Sequence, residues 1–248
     1  MTSGLLYFAV PLIAFLYASV GFGGATGYLA VMSFFGIPPQ VMASTALLLN
    51  IIVSAISFSS FYRSGHLRRG LLLPFLVTSV PAAFAGGFFK ITDDVYSILL
   101  YTVLAYVAVR LLFYSHKNED DQPLRHLSPA WALSIGLAIG LLSGMVGIGG
   151  GIFLSPVIIF ARWGTAKQAS AVAAAFIFLN SLSGLVGRWA GGTLALDYFS
   201  LSLIPFGLMG ALAGSYWGAV RFTGLALRRV LGAVMGFAVF NFWWGMWR

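Results

Sequence analysis

Val20-Gly21-Phe22-Gly23-Gly24 and Val146-Gly147-Ile148-Gly149-Gly150 are the two stretches on which the fold turns. They match in order and spacing. The same register pairs Ala43-Ser44 with Ala169-Ser170 and Gly65 with Gly191. Each cluster closes one apolar run and opens a second, shorter one, so the chain reads as a duplication. The polar stretch between the copies contains Glu119, Asp120 and Asp121 with Lys117, Arg125 and Pro123, and Pro129 follows it. Prolines and charges between apolar runs mark a boundary. This places a first repeat at 1–115, a linker at 116–130 and a second repeat at 131–248.

The runs around the clusters are those of a membrane protein. Of 248 residues, 60% are hydrophobic and 8% charged, against about 25% charged in a soluble domain. That is too few charges to clothe a water-facing surface, and the hydrophobicity excludes intrinsic disorder. The net charge of +8 does not indicate a nucleic-acid binder, because the basic residues stand singly between apolar runs. There they mark loop ends. No charge precedes Arg63. An uncharged stretch of that length, with no basic start, is not a signal peptide, and the N-terminus is expected to be retained. The runs are continuously apolar, without the alternation of barrel strands. The expected class is an all-α polytopic integral membrane protein.

Each half divides into five segments: a (4–20), b (25–36), c (40–62), d (70–89) and e (93–114), then a′ (131–145), b′ (150–161), c′ (166–187), d′ (198–219) and e′ (225–247). Segments b and b′ fall short of the roughly 20 residues that span a bilayer. Such lengths predict re-entrant or broken helices. Basic residues then set orientation. In the first half Arg63, Arg68 and Arg69 lie between c and d. In the second half Arg162 and Lys167 lie between b′ and c′, and Arg221, Arg228 and Arg229 between d′ and e′. The enrichment moves to the other set of loops, which by the positive-inside rule predicts inverted repeats, a cytoplasmic linker and both termini outside. Trp243, Trp244 and Trp247 read as an interfacial belt.

Inverted repeats with interrupted helices point to a secondary transporter whose site lies between the repeats near the midplane. A helix that starts just after a glycine turn offers N–H donors and a positive dipole end. Two such starts facing each other would hold an anion without a buried lysine. The candidate ligands are Gly23, Gly24 and Thr26 at the first turn and Gly149, Gly150 and Gly151 at the second. Ser44, Thr45 and Asn50 join them from c, with Asn180 and Ser181 from c′. Asn50, Ser54 and Ser57 share a helix face, as do Asn180, Ser183, Gly184 and Gly187. Serines in a span commonly bond their own helix, so the asparagines are the stronger candidates. Arg63 and Arg188 end c and c′ as interfacial anchors, and either would attract an anion to the pathway mouth.

All six acids lie in loops or at span ends, and His66, His116 and His126 lie in loops. That argues against carboxylate proton relays, cation pathways and intramembrane proteolysis. There is no cysteine and no Walker loop, so thiol chemistry and ATP hydrolysis are excluded. The chain reads as no enzyme, with no metal site and no cofactor. Its implied partners are a small anion and membrane lipid, with monomer and homodimer both open.

The run Gly147-Ile148-Gly149-Gly150-Gly151-Ile152-Phe153-Leu154-Ser155-Pro156, with Ala43-Ser44-Thr45-Ala46-Leu47 and Arg63-Ser64-Gly65-His66-Leu67-Arg68, resembles the sulfite exporter TauE/SafE family of membrane permeases. The resemblance implies a plasma-membrane exporter of sulfite, organosulfonates or related anions. It also implies seven or eight crossings, which ten segments meet only if a/b and a′/b′ are re-entrant or fused. The expected mechanism is alternating access; the alternative is a passive anion channel on the same scaffold.

Overall fold

A computed structural model describes residues 3–19, 21–113, 124–218, 236 and 239–240. Most of segment e′, its tryptophans and most of the linker lie outside the described residues. Among those described, ten helices and no strands are found: α1 (Ser3–Ala18), α2 (Ala25–Phe34), α3 (Pro39–Arg63), α4 (Arg69–Phe88), α5 (Asp93–Phe113), α6 (Pro129–Val146), α7 (Gly151–Phe160), α8 (Ala166–Ala190), α9 (Tyr198–Ser202) and α10 (Ile204–Gly218). Among the described residues, five apolar stretches are long enough to cross a membrane: 39–63, 69–88, 129–146, 167–190 and 198–216. The protein is an all-α, multi-pass membrane protein.

Its exterior agrees. Phe8 is 79% exposed, Met209 67% and Val77 65%. A soluble surface rarely leaves such residues bare in contiguous patches; a lipid-facing one requires it.

The helix ends follow from the sequence. Pro39 and Pro129 sit at the first helical position of α3 and α6, where a missing N–H costs nothing. Thr165 and Gln168 form a reciprocal cap at the start of α8. The register of the duplication reappears in the elements, since α2 covers 25–34 and α7 covers 151–160. Ten residues make about 15 Å of helix, half of a ~30 Å hydrocarbon core. Gly27 of α2 lies against Ile13 and Tyr17 of α1, so α2 folds back along α1 as a hairpin. Segment d′ departs from expectation. It is two helices, broken at Leu203, because Asp197 caps the short α9 and Pro205 has no N–H to continue it.

The helices assemble through glycine. Gly136, Gly140 and Gly144 of α6 meet the backbone of Phe75, Ser79 and Ala83 on α4. Gly187 of α8 and its C-cap Gly191 meet Phe84 and Phe88 of α4, and Gly210 and Gly214 of α10 meet Pro11 and Phe15 of α1. Small residues let membrane helices approach backbone to backbone. In this arrangement α4 of the first half packs on α6 and α8 of the second, while α10 of the second packs on α1 and α3 of the first. The two halves of the chain thus interlock. At the centre α3 and α8 run antiparallel: Ser44 accepts from the N–H of Ala195, Leu47 faces Gly184, and Phe61 and Ser170 meet over Gly21.

Candidate functional site

Two turns meet between α3 and α8. Gly21 and Gly24 in the first, and Gly147, Gly149 and Gly150 in the second, have φ between +77° and +94°. Side-chain-bearing residues are strained there. Gly24 and Gly150 are the N-caps of α2 and α7, and neither helix start receives a side-chain bond from its cap. The turns enter from opposite ends of α3. Gly21 touches Phe61 near its C-terminus, and Gly147 touches Ala43 near its N-terminus. Their tips, Gly23 and Gly149, converge on Asn50 and Ile177.

Asn50 ties the tips together. Its Oδ1 accepts from the Ala25 N–H at 3.1 Å, and its Nδ2 donates to the Ile148 carbonyl at 2.9 Å. One amide therefore caps α2 and holds the second turn, and it is fully buried. A side chain at Gly149 would place its Cβ 2.7 Å from both Asn50 Nδ2 and Ser181 Oγ. Gly151 packs on Ile177. Thr26 pairs with Tyr17 at 2.8 Å.

Four buried polar atoms in this region have no partner among the described residues: Tyr28 Oη, Ser143 Oγ, Asn180 Oδ1 and Ser181 Oγ. Tyr28 sits against Gly24, Ser143 beside Gly150, and Ser181 beside Gly149. Tyr28 and Ser143 were not among the expected ligands. The available signal was a polar group one helical turn from a glycine cap, on α2 for Tyr28 and within α6 for Ser143. Asn180 spends its N–H on Phe176 of its own helix and presents oxygen. It serves an anion only with its amide turned the other way.

Ser44 and Thr45 work elsewhere. Ser44 Oγ donates to Gln40 and accepts from Ala195 N–H at 3.1 Å. Ser200 Oγ donates to Asp197, so the Thr45 hydroxyl donates to Ser200 at 2.7 Å. Ser44 pins the loop after α8 to α3, and Thr45 pins α9 to it. Ser54 donates to the Asn50 carbonyl of its own helix, and Ser183 to Val80 of α4. Arg63 is exposed, as an anchor should be. Arg188 is not an interfacial anchor: it is 5% exposed, and its guanidinium donates to the carbonyls of Gly144 and Met145 at 3.1 and 2.6 Å. The close α8–α6 approach at Gly144 turns its long side chain inward. No group of three or more metal-ligating side chains is present among the described residues.

Residues 6–242 match the family described as sulfite exporter TauE/SafE. The chain belongs to the TauE/SafE family. Among curated relatives, it is 35% identical to the probable membrane transporter protein y4hK of Sinorhizobium fredii, over 85% of this chain and 87% of the relative. It is 27% identical to the probable membrane transporter protein YunE of Bacillus subtilis, over 72% of each chain. It is 25% identical to the probable membrane transporter protein MJ0441 of Methanocaldococcus jannaschii, over 81% and 79%. No solved structure matches the chain. A TauE/SafE chain with such relatives is a membrane transporter and not an enzyme.

Proposed function

We propose that this transporter carries small sulfur-containing anions, sulfite or organosulfonates, out of the cell across the plasma membrane by alternating access between inverted repeats 1–115 and 131–248. The observation that carries the reading is the meeting of two glycine-capped helix starts, α2 and α7, beside buried hydroxyls that have no partner among the described residues. Helix starts concentrate N–H donors and positive potential, and an oxyanion is the matching ligand. The Tyr28, Ser143 and Ser181 hydroxyls would complete the shell, with Gly23, Gly24, Gly149, Gly150 and Gly151 letting the anion reach the backbone. The antiparallel course of the equivalent helices α3 and α8 supports the inverted arrangement. The family description supports the substrate class.

Purified protein should melt higher with sulfite, taurine or sulfoacetate than with chloride or carboxylates of equal charge, because a ligand of the folded state stabilises it. Stabilisation by carboxylates alone would replace the substrate class. A conductance far above carrier turnover in bilayers would replace the carrier with a channel.

A further inference from the structure

The end of a helix leaves its last carbonyls without intrahelical donors, and the two equivalent hairpins solve this differently. At the end of α1 the turn caps itself. Phe15 accepts from Ser19 N–H, Leu16 from Ser19 Oγ, Tyr17 from Phe22 N–H and Ala18 from Gly21 N–H. At the end of α6 only Ser143 is capped in that way, by the N–H groups of Gly147 and Ile148. Gly144 and Met145 are capped by Arg188 of α8, and Val146 by the Tyr96 hydroxyl of α5 at 3.2 Å.

Each hairpin stem borders a cavity, and the cavities are built from equivalent elements. One is lined by Ser19 at the end of α1, Ser60 and Ser64 at the end of α3, Lys167 at the start of α8, and Ser215 of α10; its volume is about 170 Å³. The other is lined by Met145 at the end of α6, Arg188 at the end of α8, Gln40 at the start of α3, and Phe89 beyond α4, with Lys90, Asp93 and Tyr96; its volume is about 20 Å³. The two lie at opposite ends of α3. Arg188 fills the smaller one, and its Nε has no partner. The matching serines show the same inequality: Ser44 is fully buried and Ser170 is not.

We propose that Arg188 is the latch of the closed mouth, and that an oxyanion releases it by replacing the Gly144 and Met145 carbonyls on its guanidinium. A buried cation held by carbonyl dipoles alone has left water for weak partners. An oxyanion offers charge-assisted, bidentate bonds roughly twice as strong. The exchange frees the stem of the second hairpin, and the mouth opens on that side. The oxyanion key rests on the function proposed above; the latch itself does not.

The chain contains no cysteine, so single cysteines report directly. In detergent, where both ends meet solvent, Ser170→Cys should react with a small cationic methanethiosulfonate at least tenfold faster than Ser44→Cys. Adding Arg188→Gln to Ser44→Cys should raise its rate about tenfold, and Arg188→Lys should raise it less. Elution as a single folded species is the control. Methanesulfonate added to the Arg188 protein should also accelerate Ser44→Cys. Equal rates at the two cysteines, or no response to either Arg188 substitution, overturns the latch. Acceleration by Arg188→Gln without a response to methanesulfonate supports the latch and overturns the oxyanion as its key, whereas the anion reading of function stands or falls separately, on the melting of the protein with sulfite.

Discussion

Asn50 accepts from Ala25 and donates to Ile148, so Asn50→Ala strips a partner from two buried backbone groups at once. Each orphaned group costs roughly 1–3 kcal/mol. The melting temperature in detergent should fall clearly; an unchanged value would mean that the two turns are held by other contacts. Ser181 and Ser183 give a paired test. Ser181 Oγ has no partner, whereas Ser183 Oγ donates to Val80. Ser181→Ala should weaken anion binding with little loss of stability, and Ser183→Ala the reverse, both read by melting with and without sulfite. Residue identity exposed much of this in advance. Buried asparagines between apolar runs stand out because an unpaired amide in lipid is costly. Whether such a group is a ligand or a tie depends on partners far along the chain, as Ile148 is from Asn50. Arg188 was hidden for the same reason: at a helix end an anchor and a buried cap are written alike.

The short helices α2 and α7 were legible because only glycine readily adopts the left-handed caps that start them. The break between α9 and α10 was not, since hydropathy is blind to a turn inside an apolar run, although Asp197 and Pro205 marked it. Glycine also separates two effects at this scale. In an open helix Gly→Ala gains about 1 kcal/mol. Gly70 has open space around it, and Gly70→Ala should be neutral or slightly stabilising. At Gly140 the new Cβ would lie 2.6 Å from Ser79 Cα. Overpacking costs about 1–3 kcal/mol, so Gly140→Ala should lower the melting temperature despite the better propensity. Asp197, at the start of α9, belongs here too. The bonds it accepts from Ser200 hold its carboxyl below the ordinary 3.8. A depressed value adds stability that is present above the ordinary value and lost as pH falls through the lower one. Asp197→Asn should flatten that acid dependence of the melting curve; an identical dependence would clear Asp197 of the role.

Over the whole molecule, charge and hydropathy foretold an apolar exterior, and the duplication foretold equivalent elements. The interlocking of α4 and α10 with the opposite halves was not foreseeable, because glycine stripes state that helices approach closely without naming which. The proposed orientation has a direct check. Truncations fused to a reporter after Arg69 should report cytoplasmic, and those fused after Asp94 should report external. The opposite pattern would turn the molecule over and reverse the direction in which each mouth faces.

The register that aligns the halves sets Phe176 opposite Asn50 and Tyr62 opposite Arg188. Two identical halves would spend equal time facing either side of an unpolarised membrane. Here Asn50 and Arg188 each exist once, so the two facings of the proposed carrier would be inequivalent by construction. Every 1.4 kcal/mol of that difference is a tenfold bias in occupancy. In the carrier proposed above, the empty protein would then have a preferred waiting side written into two positions, and the proposed anion would meet it there.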